Sequence, residues 1–300
     1  MSARRVVGLA VIVGVSVAAG GCRRHTRVVP DALSWTEELT PGTTVHLRTT
    51  NGDVTVRGTA EAQAHVQGIK RWSRGRERDV QFVVSRSGDD VYVCAIWVRR
   101  GGRCGDERYR PRPPRILAMF SLFKRRTDMN ASLDVAIPAG VDVDATTVNG
   151  RVVVTEASGD VKAETVNGEI RASTMGGALE LSTVNGSIRA RAASLAKDAE
   201  VKLHTVNGSV SADLPQVLDA DVQLETVNGR ISTDFPIEIS GKAERNSLRG
   251  TIGQGGRRIE LKTVNGSVEL RREAGSEKDE AMDWKTKAER WKAEAKAWKP

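Results

Sequence analysis

The chain has 300 residues, a formal net charge of +8 and a hydrophobic content of 39%, of which aromatic rings supply only 4%. So few rings exclude a thick globular core built around Phe and Trp, and favour thin layers of Val, Ile, Leu and Ala of the kind that stacked strands supply. The basic balance favours anionic neighbours such as phospholipid head groups or cell-wall polymers.

The N-terminus begins Met-Ser-Ala-Arg4-Arg5, continues with an apolar run from Val6 to Ala19, and reaches Gly20-Gly21-Cys22. That is the three-part layout of a secretory signal, with a run too short to span a bilayer comfortably. Small residues directly before a cysteine resemble the lipobox of bacterial lipoproteins, although Ala19 stands where that motif usually has Leu. The resemblance implies that residues 1–22 are removed as a signal peptide and that Cys22 is acylated and becomes the mature N-terminus. Residues 23–34 then read as a tether, and the protein as exported, lipid-anchored and resident in the cell envelope. Arg23 follows the cysteine in place of the Asp that marks inner-membrane retention in some bacteria, so the outer membrane is preferred. Loss of the signal removes Arg4 and Arg5 and no acidic residue, which lowers the formal charge from +8 to +6. Nucleic acid fits an exported protein poorly.

Residues 35–105 carry one Thr49-Thr50-Asn51-Gly52 copy of the repeat described below, followed by longer strands such as Val80 to Val84 and Asp90 to Cys94. They read as an irregular N-terminal cap, because a stack of strands must end without offering open edges. Cys94 and Cys104 close a short Arg- and Gly-rich loop, and in an oxidising compartment they are expected to form a disulfide. No Cys-x-x-Cys is present and the nearest histidine in sequence is His65, so no metal site is expected. Residues 106–128 contain Arg-Pro-Arg-Pro-Pro-Arg, an apolar stretch from Ile116 to Phe123 and Lys124-Arg125-Arg126, and read as a basic insertion.

From 129 to 272 the tetrapeptide Thr-Val-Asn-Gly recurs, with its Asn at 149, 167, 185, 207, 228 and 265. Successive gaps are 18, 18, 22, 21 and 37 residues, and a degenerate copy from Ser247 to Ile252 divides the last into 21 and 16. Six residues before the Asn stand Val45, Val143, Val161, Leu179, Val201, Val222 and Ile259, and three after it Val54, Val152, Ile170, Ile188, Val210, Ile231 and Val268. Apolar residues therefore alternate with period two on both sides of an Asn-Gly that tolerates a sharp corner, so each copy is strand, turn, strand. Near-identical copies about 20 residues apart predict stacking in register rather than a meander. The expected fold is all-β: a single-stranded β-solenoid of Asn-Gly repeats of about 16–22 residues over 35–272, about eight coils long, with Asn51, Asn149, Asn167, Asn185, Asn207, Asn228 and Asn265 at the corners. Stacked Asn and Thr side chains would satisfy the corner backbone. Five before the Asn, Asp144, Lys162, Glu180, Lys202 and Gln223 form an outward column in which opposite charges alternate and pair between coils.

The aligned Val-x-Leu/Ala-x-Thr-Val-Asn-Gly-x-Ile/Val copies resemble a bacterial family of β-strand-repeat domains of unknown function that follow a signal peptide and carry an adhesin label. The resemblance covers Trp35 to Arg272 and implies an envelope-exposed scaffold.

From Ser276 to Lys299 the pattern changes to Lys, Glu and Ala, with Trp284, Trp291 and Trp298 seven apart on one helical stripe. Residues 276–299 are expected to form a short amphipathic helix that caps the stack or contacts a membrane or partner through those Trp side chains. Polysaccharide-cleaving β-helix enzymes are the rival reading, and they need clustered carboxylates over a groove. Ser182, His204 and Glu225, three before the Asn on successive copies, are the residue types of a nucleophile, a base and an orienter, but they stand on an exposed face with no nucleophile turn or oxyanion donors. The expectation is a non-catalytic, cofactor-free scaffold or adhesin-like surface, tethered to the membrane by lipid and facing a cell-wall polymer, an anionic lipid or a surface protein.

Overall fold

The computed structural model describes residues 27–73, 76–98, 104, 128–239 and 246–273. Among them the chain is all-β apart from the short 3-10 turn Glu77–Asp79 and a 3-10 residue at Val98. Two long sheets, one of ten strands and one of eleven, face each other across a thin core.

Seven strand–corner–strand coils build the stack, each giving one strand to either sheet. The strand before the corner lies in the eleven-stranded sheet: β2 (Thr44–Arg48), β8 (Asp142–Thr146), β10 (Val161–Asn167), β12 (Leu179–Asn185), β14 (Val201–Asn207), β16 (Ala220–Asn228) and β20 (Arg257–Asn265). The strand after it lies in the ten-stranded sheet: β3 (Val54–Gly58), β9 (Val152–Ala157), β11 (Ile170–Thr174), β13 (Ile188–Ala192), β15 (Val210–Leu214), β17 (Ile231–Thr233) and β21 (Val268–Arg272). Neighbouring coils pair parallel and in register, so that Val161 faces Leu179 and Leu179 faces Val201. The register follows from the alternation, because a slip of one residue would turn every core side chain to solvent. Val45, Val143, Val161, Leu179, Val201, Ile259 and Val222 form one buried column and Leu47, Ala145, Ala163, Leu181, Leu203, Leu261 and Leu224 a second. Each Val or Leu so buried is worth about 1.5–3 kcal/mol.

The order of the coils departs from the sequence at one place. In both sheets the last coil, β20 with β21, lies between β14 with β15 and β16 with β17, so the Asn order along the stack is 51, 149, 167, 185, 207, 265, 228. The degenerate copy accounts for this. Ser247–Ile252 is a single strand, β19, which runs antiparallel to the outer side of β16 and pairs with the short β18 (Glu238–Ile239). The expected eighth coil is therefore a cap, and its return brings the chain back to fill the slot beside β14. The parallel register of β20 suits both neighbours, with Ile259 opposite Val201 on one side and Val222 on the other.

The far end is also closed by antiparallel strands. β4 (Gln63–Trp72) and β1 (Arg27–Glu38) follow β7 (Asn130–Ile137) beyond β3, and the hairpin of β5 (Val80–Ser87) and β6 (Asp90–Trp97) follows β2. Thr44–Gly58, in contrast, is a regular coil whose Asn51 adjoins Asn149 directly. A register shift between Val29 and Leu33 in β1 and the three-residue length of β17 blunt the open edges of the ten-stranded sheet.

Candidate interaction surface

The corner is built from three residue types with separate tasks. Each Asn donates through Nδ2 to Oδ1 of the Asn below it: Asn149 to Asn51 at 2.7 Å, Asn185 to Asn167 at 2.9 Å, Asn207 to Asn185 at 2.9 Å, and finally Asn228 to Asn265 at 2.8 Å. Each Thr turns inward and donates Oγ1 to a backbone carbonyl of the neighbouring coil, as Thr165 does to Gly150 at 3.1 Å and Thr205 to Gly186 at 2.9 Å. The glycines approach that backbone so closely that a Cβ on Gly168 or Gly186 would overlap the carbonyl oxygen of the glycine below.

The remaining residue of the tetrapeptide has no such task. Val166, Val184, Val206, Val264 and Val227 are 39%, 40%, 40%, 39% and 59% exposed, so they form a straight apolar stripe in solvent beside the Asn ladder. An isolated exposed Val needs no explanation, but a column of five on successive coils is a continuous patch. The stripe was visible in the sequence as a Val held between an inward Thr and a corner Asn, and alternation alone would have assigned it to the surface.

Beside the stripe, the eleven-stranded sheet carries ionic columns. Stack order runs His46, Asp144, Lys162, Glu180, Lys202, Glu260, Gln223, so the inserted coil places Glu260 next to Lys202, where the sequence order had suggested Gln223. The alternation of charge thereby extends by one coil. Lys162 Nζ lies 3.2 Å from Glu180 Oε1, and the buried carboxylate of Glu260 meets Lys262 at 2.7 Å and Arg258 at 3.1 Å. The hydrogen bond from Lys262 outweighs burial and holds the Glu260 carboxyl below its ordinary range.

At one end of these columns Asp144 takes 2.9 Å contacts from both His46 Nδ1 and Arg48 Nη1, and a second, shorter one from Arg48 Nη2. The His46 ring stacks on Tyr92 at 4.2 Å between centroids. Burial alone would raise the Asp144 pKa, but the hydrogen bonds from His46 and Arg48 and the guanidinium charge together hold it at about 2. Asp142, in contrast, is pushed upward by burial and by the neighbouring Asp160 and Asp90 carboxylates.

The inserted coil also separates the Ser, His and Glu column. Ser182 adjoins His204, but Lys262 stands between His204 and Glu225, and His204 Nε2 instead meets Glu260 Oε1 at 3.1 Å. Glu225 is engaged by Arg249 at 2.9 Å. No group of three or more His, Cys, Asp or Glu side chains suited to a metal occurs among the described residues. Cys94 and Cys104 are joined as a disulfide with Cα atoms 5.7 Å apart, over the outer face of β6 beside Tyr92 and Ile96. Cys22, residues 105–127, and the expected 276–299 helix with Trp284, Trp291 and Trp298 lie outside the described residues.

No curated protein matches the chain. Among solved structures, a candidate cell adhesion protein from Clostridium sporogenes is similar at 12% identity and a TM-score of 0.46, covering 80% of this chain and 99% of its own. A candidate adhesin from Bacteroides fragilis is similar at 8% identity and a TM-score of 0.26, covering 84% of this chain and 100% of its own. Residues 157–271, which hold the coils from Asn167 to Asn265 and the antiparallel cap but not those of Asn51 and Asn149, match the family model described as Toastrack DUF4097.

Proposed function

We propose that this protein is an exported, non-catalytic envelope scaffold, anchored through acylated Cys22, whose stack of coils offers the valine stripe and its ionic border as an adhesin-like contact surface. The observation that carries the reading is the repetition of an exposed Val on coil after coil, at a position where Thr, Asn and Gly already satisfy the corner. An extended partner with its own repeat, such as a cell-wall polymer, suits a straight stripe better than a compact ligand does, because each coil adds an equivalent contact about 4.8 Å further along. Trp284, Trp291 and Trp298 give a second contact, toward anionic lipid or a surface protein. The carboxylates beside the stripe are engaged by neighbouring cations, which suits a surface for holding better than one for proton transfer.

The test is co-sedimentation of the full chain with purified peptidoglycan, beside a Val184→Ser, Val206→Ser, Val264→Ser variant and a chain ending at Gly275. The triple variant is expected to melt within about 2 °C of the parent, because exposed positions carry little stability, while its binding falls at least about tenfold. Unchanged binding by the variant would remove the stripe from the surface. Loss confined to the chain ending at Gly275 would transfer the contact to the Trp segment.

A further inference from the structure

The inward positions of β4 run Ala64, Val66, Gly68, Lys70, Trp72, all buried, and Lys70 interrupts an otherwise uncharged row. Only 7% of Lys70 is exposed, and among the described residues it has neither a hydrogen bond nor an ion pair. Its Nζ lies 5.8 Å from the centre of the Phe82 ring, which packs against Gly68. Burial pulls its pKa down, and the charge of Glu77 pulls it up. Lysines almost never enter such positions without a counter-charge.

Lys70 lines an open cleft of about 430 Å³ together with Arg76, Glu77, Arg78 and Gln81. Three cations against one carboxylate leave the cleft positive, and Arg76 and Arg78 bring planar donors suited to the oxygens of an oxyanion. We propose that this cleft binds a phosphate group, with the Lys70 ammonium reaching it from a buried stem and the exposed Arg76 and Arg78 beside it.

The position of the cleft says which carrier brings the phosphate. In the β1–β4 register Val29 faces Lys70 and Arg27 faces Trp72, so the chain enters the fold beside the cleft. Trp72 packs there with Val29, Met129 and Trp97, while Val28 and Val98 are 50% and 46% exposed at the same end. Exposed aliphatic groups beside Arg, such as Val28 opposite Arg71, suit a surface that meets a bilayer at head-group depth. Cys22 precedes Arg27 by five residues, a reach of about 17 Å when extended. A phospholipid phosphate at a membrane holding the Cys22 anchor is therefore within range. This choice of carrier rests on the anchored reading, whereas the phosphate site itself does not.

The experiment is the melting temperature of the full chain in a non-ionic detergent, titrated with inorganic phosphate and with glycerol 3-phosphate against chloride at equal ionic strength. Flotation of the same protein with phosphatidylglycerol vesicles forms the second arm. Two variants accompany it: Lys70→Met, which keeps the buried stem and removes the charge and is expected to fold at least as well, and Arg76→Gln with Arg78→Gln at exposed positions. Both soluble phosphates are expected to raise the melting temperature of the parent in the millimolar range, and Lys70→Met to lose at least about tenfold in apparent affinity. Absence of any phosphate response, or a full response in both variants, overturns the site. A response to the soluble phosphates without Lys70-dependent flotation upholds the phosphate site and overturns the lipid as its carrier. A phosphate response that persists in protein whose Cys22 proves unacylated by mass spectrometry upholds the site while the anchored reading fails.

Discussion

Asp144 shows how one side chain can carry a measurable share of stability on an exposed face. Its carboxylate has only 16% of its surface exposed and is held by His46 and Arg48, at a pKa of about 2 against an ordinary 3.8. A carboxyl depressed on folding stabilises above its unfolded pKa and loses that contribution as pH falls through the folded one, so the window here runs from about pH 4 down to about pH 2. The shift corresponds to about 2 kcal/mol. Asp144→Asn is expected to cost about that much at neutral pH, and urea titrations should show the gap between parent and variant closing as the pH approaches 2. An equal gap at pH 7 and pH 2 would mean that shape rather than charge is responsible. His46 and Arg48 could not be matched with Asp144 from the sequence, since about a hundred residues separate the coils that carry them.

The corner is the element that repeats, and its parts differ in how much they matter. Asn185 donates to one neighbour and accepts from the other along an exposed ladder, so Asn185→Ala removes two hydrogen bonds at a cost of about 1–2 kcal/mol. Gly186→Ala is expected to be worse by several kcal/mol, because its Cβ would overlap the Gly168 carbonyl and force the two coils apart. Thermal unfolding of the two single variants orders them, and a Gly186→Ala chain as stable as Asn185→Ala would mean that the stack opens at little cost. This much of the corner was legible beforehand: Asn-Gly flanked by alternating apolar residues specifies a turn, and identical copies specify that the turns stack. The closeness of the glycine contacts was not, since it depends on the spacing between coils.

For the whole molecule, the inserted last coil is the feature that sets this chain apart from a simple winding order. β20 hydrogen-bonds to β14 and β16 alike, so the slot it fills has two prepared edges and one sequence to close it. Long-range parallel pairing of this kind is intrinsically slow to form. Val206 and Val264 stand side by side on adjacent strands, next to the paired Asn207 and Asn265, whereas Val227 lies one strand further on. A Val206→Cys, Val264→Cys pair at about 4.8 Å should therefore form a disulfide under mild oxidation, and a Val206→Cys, Val227→Cys pair at about 9.6 Å should not. Peptide mapping by mass spectrometry distinguishes them, and the reverse result would restore the winding order of the sequence.

The sequence by itself determined that the protein is all-β, where its strands lie around each Asn-Gly, and which side chains point inward, because those properties depend on period-two alternation and on local turn chemistry. The tertiary structure decided the rest. It placed the last coil inside the stack, turned the degenerate copy into an antiparallel cap, parted Glu225 from His204, and set Lys70 beside Arg76 and Arg78 in one cleft. The first three are choices between strand edges with nearly equivalent alternation, so the local pattern is satisfied in either arrangement. Only the complete set of edges, including the antiparallel strand that seals β16, selects between them.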